Sequence, residues 1–198
     1  PVQTTKTSVH GAINMLGLAK RTRAKILQAS TSEVYGDPEE HPQTETYWGR
    51  VNPVGIRACY DEGKRCAETL FFDYQRQHGV EIKVARIFNT VGPRQTGRYG
   101  MVLPRFVEAA KAGEPLRVFG DGQQSRCFGH VTDTVEALLR LAKCDRAPGG
   151  VFNIGSDQPV SVRQLAERVV AKVGGEIAIE HIAYSEAYGD DFEDIQRR

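Results

Sequence analysis

The sequence Ser30-Thr31-Ser32-Glu33, followed downstream by Tyr60-Asp61-Glu62-Gly63-Lys64, carries the most information about this chain. A four-residue spacing on a helix places the Tyr60 hydroxyl and the Lys64 ammonium on one face. A phenol ordinarily titrates near pH ~10, so it needs roughly 4 kcal/mol of differential charge stabilisation to act as a base at neutral pH. A cation one helical turn away supplies part of this stabilisation. Tyr and Lys four residues apart also occur on ordinary solvated helix faces, so the spacing alone leaves both a catalytic and a surface interpretation open.

The apolar residues alternate between helix and strand periodicity, which predicts an α/β protein. Helices are predicted over residues 5–21, 59–78, 101–112, 131–143 and 161–173, with Ser161 as the cap and Gly174 as the stop of the last one. Strands are predicted over residues 25–29, 82–88, 116–119, 151–154 and 176–182, the last as an edge strand. Residues 36–56 are predicted to form a long loop that covers a site. Thr31 then lies at the carboxyl end of a strand, where its hydroxyl can hold a substrate alcohol for proton abstraction.

The composition limits the classes of protein to consider. With 198 residues, 40% of them hydrophobic, the chain can bury one sizeable core. The formal net charge of +1 gives no sequence-wide attraction to nucleic acid or to a membrane surface. No apolar run has transmembrane length, and the four cysteines form no CxxC pair. We therefore expect a cytoplasmic protein with reduced thiols, without a metal site, a nucleic-acid partner or a membrane segment.

The first residues, Pro1-Val2-Gln3, follow no Met and no strand pattern. The G-x-x-G-x-x-G turn that cradles a dinucleotide pyrophosphate at a helix N-terminus occurs nowhere in the sequence. These two features lead to the expectation that the chain is the C-terminal two-thirds of an enzyme, or the ordered part of one.

Longer motifs point to a family. They are ASTSEVYGDP (29–38), YWG (47–49), NP (52–53), RACYDEGKR (57–65), ARIFNT (85–90), GPR (92–94), GEPL (113–116) and FGDG (119–122). Together they closely resemble the extended short-chain dehydrogenase/reductases that act on nucleotide sugars, and most of all the UDP-glucuronate decarboxylase (UDP-xylose synthase) branch. The resemblance implies a Rossmann-like doubly wound parallel sheet without its N-terminal phosphate-binding part, plus a small C-terminal substrate lobe. Residues 1–92 would belong to the NAD-binding domain, and 93–198 would contribute the substrate lobe and the remaining Rossmann elements.

The same resemblance implies a function and a set of site residues. The protein would be an NAD-dependent lyase that converts UDP-glucuronate to UDP-xylose through a 4-keto sugar, and a homodimer with the Tyr60 helix among its packing elements. The implied catalytic residues are Thr31, Glu33, Tyr60 and Lys64. The implied NAD-binding residues are Thr7, Tyr60, Lys64 and Thr90. The implied substrate-binding residues are Lys6, Asn14, Asn89, Arg126 and Arg198.

The sequence departs from the decarboxylase pattern in several places. Ser8 stands where the family commonly has Asn, which affects contacts beneath the active site. Residues 94–100 and 186–194 look more like the UDP-sugar 4-epimerase branch. A 4-epimerase is therefore the alternative enzyme, and a non-catalytic fragment that binds without turnover is the alternative of another class.

Overall fold

The structure is a computed structural model that describes residues 1–97 and 101–183. Within these residues five α-helices are formed: Val2–Thr22 (α1), Ala58–His78 (α2), Val102–Ala112 (α3), Val131–Lys143 (α4) and Val162–Val173 (α5). The same residues contain eight strands: Ile26–Thr31 (β1), Ile82–Ile87 (β2), Asn89–Val91 (β3), Leu116–Phe119 (β4), Ser125–His130 (β5), Val151–Ile154 (β6), Pro159–Ser161 (β7) and Ile179–Ile182 (β8). A 3-10 helix, Ser32–Tyr35, follows β1 directly. The α/β prediction is confirmed.

The predicted helices agree with the observed ones to within a few residues at each end. The strand predictions are less complete, because β3, β5, β7 and the 3-10 helix were not predicted. The first strand also continues to Thr31, two residues beyond its predicted end. The three missed strands are three to six residues long and have no alternating apolar pattern. Short strands of this kind form where a partner strand is available, and local propensity does not reveal the partner.

The chain divides into two compact units. The first consists of residues 1–90 and 131–155, and the second of residues 91–130 and 156–198. Of the helices among the described residues, none combines the length and apolarity that crossing a bilayer requires.

The first unit is built on a parallel sheet in the order β1-β2-β6. Successive side chains of β2 point to opposite faces of this sheet. Ile82 and Val84 pack in one core with residues of α1 and α2, such as Leu16 and Phe71. Ala85 packs in a second core with Leu141 of α4 and with other apolar side chains. Both faces of the sheet are therefore covered by helices, as parallel sheets require.

Helices α1 and α2 approach each other closely at Gly63. A Cβ atom at this position would lie 3.1 Å from the Cβ of Ser8. The Thr5 hydroxyl also donates to the carbonyl of Cys59, with an Oγ1–O distance of 3.3 Å. Ser8, the residue that departs from the family pattern, is thus a packing partner of the Tyr60 helix.

A buried lysine of β2 caps the C-terminal end of helix α4. Lys83 is 3% exposed, and its ammonium donates to the carbonyls of Leu141 (2.8 Å), Ala142 (3.1 Å) and Cys144 (2.7 Å). The last carbonyls of a helix have no partner within the helix, so this side chain supplies the missing donors. The strand pattern of residues 82–88 gave no indication of this role.

Residues 36–50 form a loop that is fixed at both ends. Gly36 and Arg50 form a parallel bridge, in which the Asp37 amide donates to the Arg50 carbonyl and the Arg50 amide to the Tyr35 carbonyl, both at 2.9 Å. Both Gly36 and Gly49 have positive φ angles, 62° and 82°. A Cβ at Gly36 would overlap the Arg50 carbonyl, and one at Gly49 would lie 2.7 Å from the Tyr35 Cα. Only glycine allows the two segments to approach this closely.

The second unit contains two small sheets and the helices α3 and α5. In these sheets β4 pairs with β8 in parallel, and β5 pairs with β7 antiparallel. Ser161 caps α5 in a capping box with Gln164, and Gly174 follows its last residue, as predicted. The core of this unit includes Phe106, Leu116 and Ala166.

Candidate active site

Thr31 lies at the carboxyl end of β1, where the chain leaves the sheet. It is the N-cap of the 3-10 helix, and its Oγ1 accepts a hydrogen bond from the Glu33 amide at 3.2 Å. A hydroxyl that accepts through its oxygen still carries a proton to donate. The side chain is therefore oriented by its own backbone and can also hydrogen-bond a ligand oxygen.

Tyr60 and Lys64 lie one turn apart on α2. The Lys64 ammonium is 5.9 Å from the centre of the Tyr60 ring and donates to the carbonyl of Ala29 at 2.9 Å. This contact joins the helix to the strand two residues before Thr31. Burial lowers the pKa of Lys64, because desolvation disfavours the ammonium form.

Glu33 faces an arginine that was not among the predicted site residues. Its Oε2 is 3.2 Å from Nη2 of Arg57, and the Glu33 side chain is only 12% exposed whereas that of Arg57 is 62% exposed. Arg57 precedes Tyr60 by three residues, at the N-cap position of α2. It belongs to the quoted motif RACYDEGKR, but a basic residue beside a helix start is common on protein surfaces and gave no indication of this ion pair.

A largely buried ion pair lies one turn beyond Lys64. Glu68 accepts two hydrogen bonds from Arg86, Nε to Oε1 at 3.0 Å and Nη2 to Oε2 at 2.7 Å. The side chains of Arg86 and Glu68 are 13% and 10% exposed. Burial alone would lower the pKa of Arg86, but its hydrogen bonds and charge attraction to Glu68 raise it overall. The Ser30 hydroxyl also donates to Glu68 Oε1, at 2.5 Å.

The same arginine continues the hydrogen-bond network toward the loop. Its Nη1 donates to the Tyr35 hydroxyl at 2.9 Å and to the Glu45 carbonyl at 3.1 Å. Its guanidinium carbon lies 4.8 Å from the centre of the Tyr35 ring. The Tyr35 hydroxyl donates in turn to Asn153 Oδ1 at 2.8 Å. No sequence pattern indicates this network, because its members come from segments that are far apart along the chain.

The other predicted site residues are distributed over several elements. Lys6, Thr7 and Asn14 are exposed on α1, and Thr7 Oγ1 accepts a hydrogen bond from the Gln3 side chain at 3.3 Å. Within the first unit, contacts connect the elements that carry Thr31, Glu33, Tyr60 and Lys64.

Asn89 and Thr90 are part of β3. The Thr90 hydroxyl lies 3.1 Å from that of Thr134. The Nδ2 atom of Asn89 is buried and has no hydrogen-bond partner among the described residues, so it is available for a ligand acceptor. Arg126 lies on β5 in the second unit, where its Nη1 donates to the Ser125 carbonyl at 2.8 Å. Arg198, residues 98–100 and the stretch 186–194 lie outside the described residues.

The fold and these contacts define a class of protein, a Rossmann-like domain of the short-chain dehydrogenase/reductase type. The chain belongs to the GDP-mannose 4,6 dehydratase family, whose model matches residues 1–197.

Curated relatives include several UDP-glucuronic acid decarboxylases. The chain is 54% identical to UDP-glucuronic acid decarboxylase 6 of Arabidopsis thaliana over 182 residues, which is 92% of this chain and 52% of that protein. It is 52% identical to UDP-glucuronic acid decarboxylase 1 of Xenopus tropicalis over 180 residues, 90% of this chain and 42% of that protein. The chain thus spans about half the length of the curated relatives it matches.

Solved structures of the same fold come from neighbouring enzyme types. A UDP-N-acetylglucosamine 4-epimerase from Methanobrevibacter ruminantium M1, in complex with UDP-N-acetylmuramic acid, matches with a TM-score of 0.87 at 25% identity over 100% of this chain and 60% of that one. A dTDP-glucose 4,6-dehydratase from Bacillus anthracis, in complex with NAD, matches with a TM-score of 0.82 at 27% identity over 98% of this chain and 58% of that one.

Proposed function

We propose that the protein is an NAD-dependent lyase that decarboxylates UDP-glucuronate to UDP-xylose through a 4-keto sugar. The observation that carries this proposal is the 54% identity to a UDP-glucuronic acid decarboxylase over 92% of the chain. The arrangement of Thr31, Tyr60 and Lys64 supports the reaction type, because it provides a base, a cation beside it and a hydroxyl donor.

Residues of this chain would perform the proton transfers. Tyr60, as the phenolate, accepts the proton of the sugar 4-hydroxyl, and the Thr31 hydroxyl donates a hydrogen bond to the same sugar oxygen. The Lys64 ammonium stabilises the phenolate through its positive charge. NAD, when bound, supplies the hydride acceptor at C4 and later returns the hydride, so no external reductant is consumed.

The 4-keto sugar makes loss of carbon dioxide possible. Its C6 carboxylate is β to the new carbonyl, so the electron pair of the breaking C5–C6 bond passes into an enolate that includes the C4 oxygen. Thr31 stabilises this oxygen by hydrogen bonding, and C5 then takes a proton. Glu33, whose side chain is 12% exposed, would orient the departing group or a water.

The cofactor and substrate contacts are also proposals. Lys64 fits the nicotinamide ribose, because an ammonium has three N–H donors and its bond to the Ala29 carbonyl uses one of them. Thr7 and Thr90 would contact NAD as well. Lys6, Asn14, Asn89, Arg126 and Arg198 would contact the nucleotide sugar, Arg126 with a guanidinium fork suited to diphosphate oxygens. A homodimer, a cytoplasmic location and the division of roles between residues 1–92 and 93–198 remain predictions.

A 4-epimerase is the second candidate, favoured by the match to a solved 4-epimerase over the whole chain. The candidate is an epimerase of the UDP-glucose/UDP-galactose type, whose sugar has no carboxylate at C6. The 4-keto sugar turns over in the site and is reduced on its other face.

The test is to incubate the complete protein that carries this chain with NAD and either UDP-glucuronate or UDP-glucose, and to identify the products by NMR. UDP-xylose and carbon dioxide from UDP-glucuronate are expected. A C4 epimer without carbon dioxide would establish the epimerase, and no turnover of either sugar would favour the non-catalytic alternative.

In the Tyr60→Phe variant we expect the same fold and a turnover lower by about 10²- to 10⁴-fold. Turnover at the wild-type rate would remove Tyr60 from the mechanism.

A further inference from the structure

Tyr60, Lys64 and Glu68 lie on one face of α2 at four-residue intervals. Two of them bind successive residues of β1: Lys64 donates to the Ala29 carbonyl, and Glu68 accepts from the Ser30 hydroxyl. The next residue of the strand is Thr31. The helix that carries the proposed base is therefore fixed to the strand that carries the proposed hydroxyl donor by two hydrogen bonds, immediately before Thr31.

Arg86 joins this contact to the turn that carries Glu33. Arg86 donates two hydrogen bonds to the Glu68 carboxylate, and this bidentate geometry restricts the relative movement of the two side chains. With its remaining terminal nitrogen, Nη1, it binds the hydroxyl of Tyr35, the last residue of the 3-10 helix. Tyr35 is fully buried, so a shift of Arg86 displaces the 3-10 helix and with it Glu33.

A buried ion pair is weak evidence for stability, because desolvation of both charges offsets their attraction. Hydrophobic residues of similar size often serve the fold equally well. An ion pair at this point, bonded both to the strand of Thr31 and to the 3-10 helix of Glu33, is better explained by the geometry that it enforces.

We propose that Glu68 and Arg86 are positioning residues, which set the position of Thr31 and Glu33 relative to Tyr60 and Lys64. The proposal rests on the proposed function for its catalytic consequence. A displacement of about 1 Å at a reacting group can lower the rate by ~10²-fold, so the pair acts on kcat. The affinity for substrate changes little, since neither side chain is assigned a contact with it.

The experiment uses Arg86→Lys and Glu68→Gln in the complete protein. Lysine keeps the charge of Arg86 but not its fork, and glutamine keeps the shape of Glu68 but not its charge. The matched control is Asp73→Asn, which removes an ion pair of the same helix, to Arg76 at 2.6 Å, on the exposed surface. We expect kcat to fall by about 10- to 100-fold in the two test variants, with KM within ~3-fold, and no change in the control.

A second measurement does not depend on turnover. The Glu33 amide donates to Thr31 Oγ1 at 3.2 Å, and the Gly36 amide donates to the Glu33 carbonyl at 2.9 Å. Exchange of these two amide protons, followed by NMR, should be at least ~10-fold faster in the test variants and unchanged in Asp73→Asn. If the wild-type protein has no turnover, the proposed function fails, and the exchange rates still decide whether the pair positions the site.

A double variant separates positioning from stability. Glu68→Met/Arg86→Met should regain a melting temperature near that of the wild type while kcat stays low. Recovery of kcat together with the melting temperature would overturn the proposal. If none of these variants folds, Ser30→Ala removes only the hydrogen bond to Glu68. A folded Ser30→Ala protein with wild-type kcat and wild-type exchange rates would also overturn it.

Discussion

Glu33 is the residue whose charge most directly separates the two candidate reactions. A carboxylate beside the anionic carboxylate of a uronate raises the energy of having both groups ionised, and decarboxylation relieves this repulsion because the negative charge moves from C6 into the enolate. An epimerase substrate that is neutral at C6 offers Glu33 no such partner. We predict that Glu33→Gln lowers the conversion of UDP-glucuronate to UDP-xylose by at least ~10-fold in single-turnover experiments, with little change in NAD affinity.

The matched control for this prediction is Glu39→Gln. Glu39 also pairs with an arginine, Arg50 at 3.1 Å, but on the exposed surface of the loop. It should leave turnover unchanged. Equal rates in Glu33→Gln and the wild type would contradict the decarboxylase assignment.

Lys64 and Lys25 should titrate on opposite sides of the ordinary lysine value. Burial lowers the pKa of Lys64, whereas hydrogen bonds and charge attraction to Asp145 and Glu81 raise that of Lys25. Turnover that needs the Lys64 ammonium should therefore fall as the pH rises, because Lys64 loses its charge as the pH passes through its lowered pKa. NMR titration of methylated lysines should show Lys64 deprotonating first. The reverse order would mean that Lys64 is solvated in the protein.

Single residues were predictable only where local spacing carried the information. The placement of Tyr60 and Lys64 on one helix face follows from their spacing, and Thr31 lies at the carboxyl end of a strand, as its sequence context indicated. The network around Arg86 joins residues that are 38, 51 and 118 positions apart, from Ser30–Glu68 through Arg86–Tyr35 to Tyr35–Asn153. No periodicity in the sequence relates such distant positions, so the contacts could be found only in the folded chain.

At the scale of elements, the approach of residues 35–37 to 49–51 fixes the loop. We predict that Gly36→Ala lowers the free energy of unfolding by at least ~2 kcal/mol more than Gly79→Ala does, because its Cβ would overlap backbone atoms. Gly79 is a matched control: its φ is 64°, close to the 62° of Gly36, and no described atom lies within 4 Å of where its Cβ would be. Alanine in this backbone conformation costs about 1–2 kcal/mol at either site.

Urea denaturation of both variants measures the difference. Equal losses of stability would show that the two segments separate at little cost. The loop would then be less fixed than its hydrogen bonds indicate.

Helix α5 was predictable because three features agree in it: apolar periodicity, a plausible start and a plausible stop. Ser161 is its cap and Gly174 follows its last residue, as expected, and Gln164, which was not predicted, completes the capping box. Strand β5 has no comparable local signal in the sequence. It forms by pairing with β7, a segment more than thirty positions away. The C-terminal end of α4 depends likewise on Lys83, a residue of a distant strand.

At the scale of the whole molecule, the sequence contains no glycine-rich turn for a pyrophosphate. We predict that the 198-residue chain, prepared alone, binds NAD weakly by calorimetry, because Tyr60, Lys64, Thr7 and Thr90 address only part of the dinucleotide. The complete protein is the control and should bind more tightly. Micromolar affinity of the chain alone would contradict the expectation that the phosphate-binding part lies elsewhere.

The loop that is bonded to Arg86 and Asn153 also covers backbone groups at the edge of the sheet of the first unit. Strand β6 is the last strand of its sheet among the described residues, and such a border offers unpaired amides and carbonyls to other chains. Here Glu45 Oε1 accepts from the Asn153 amide at 2.9 Å, and the Gln43 carbonyl accepts from the Asn153 side chain at 3.0 Å. The loop therefore covers part of this border and leaves fewer free backbone groups there for another chain to bind.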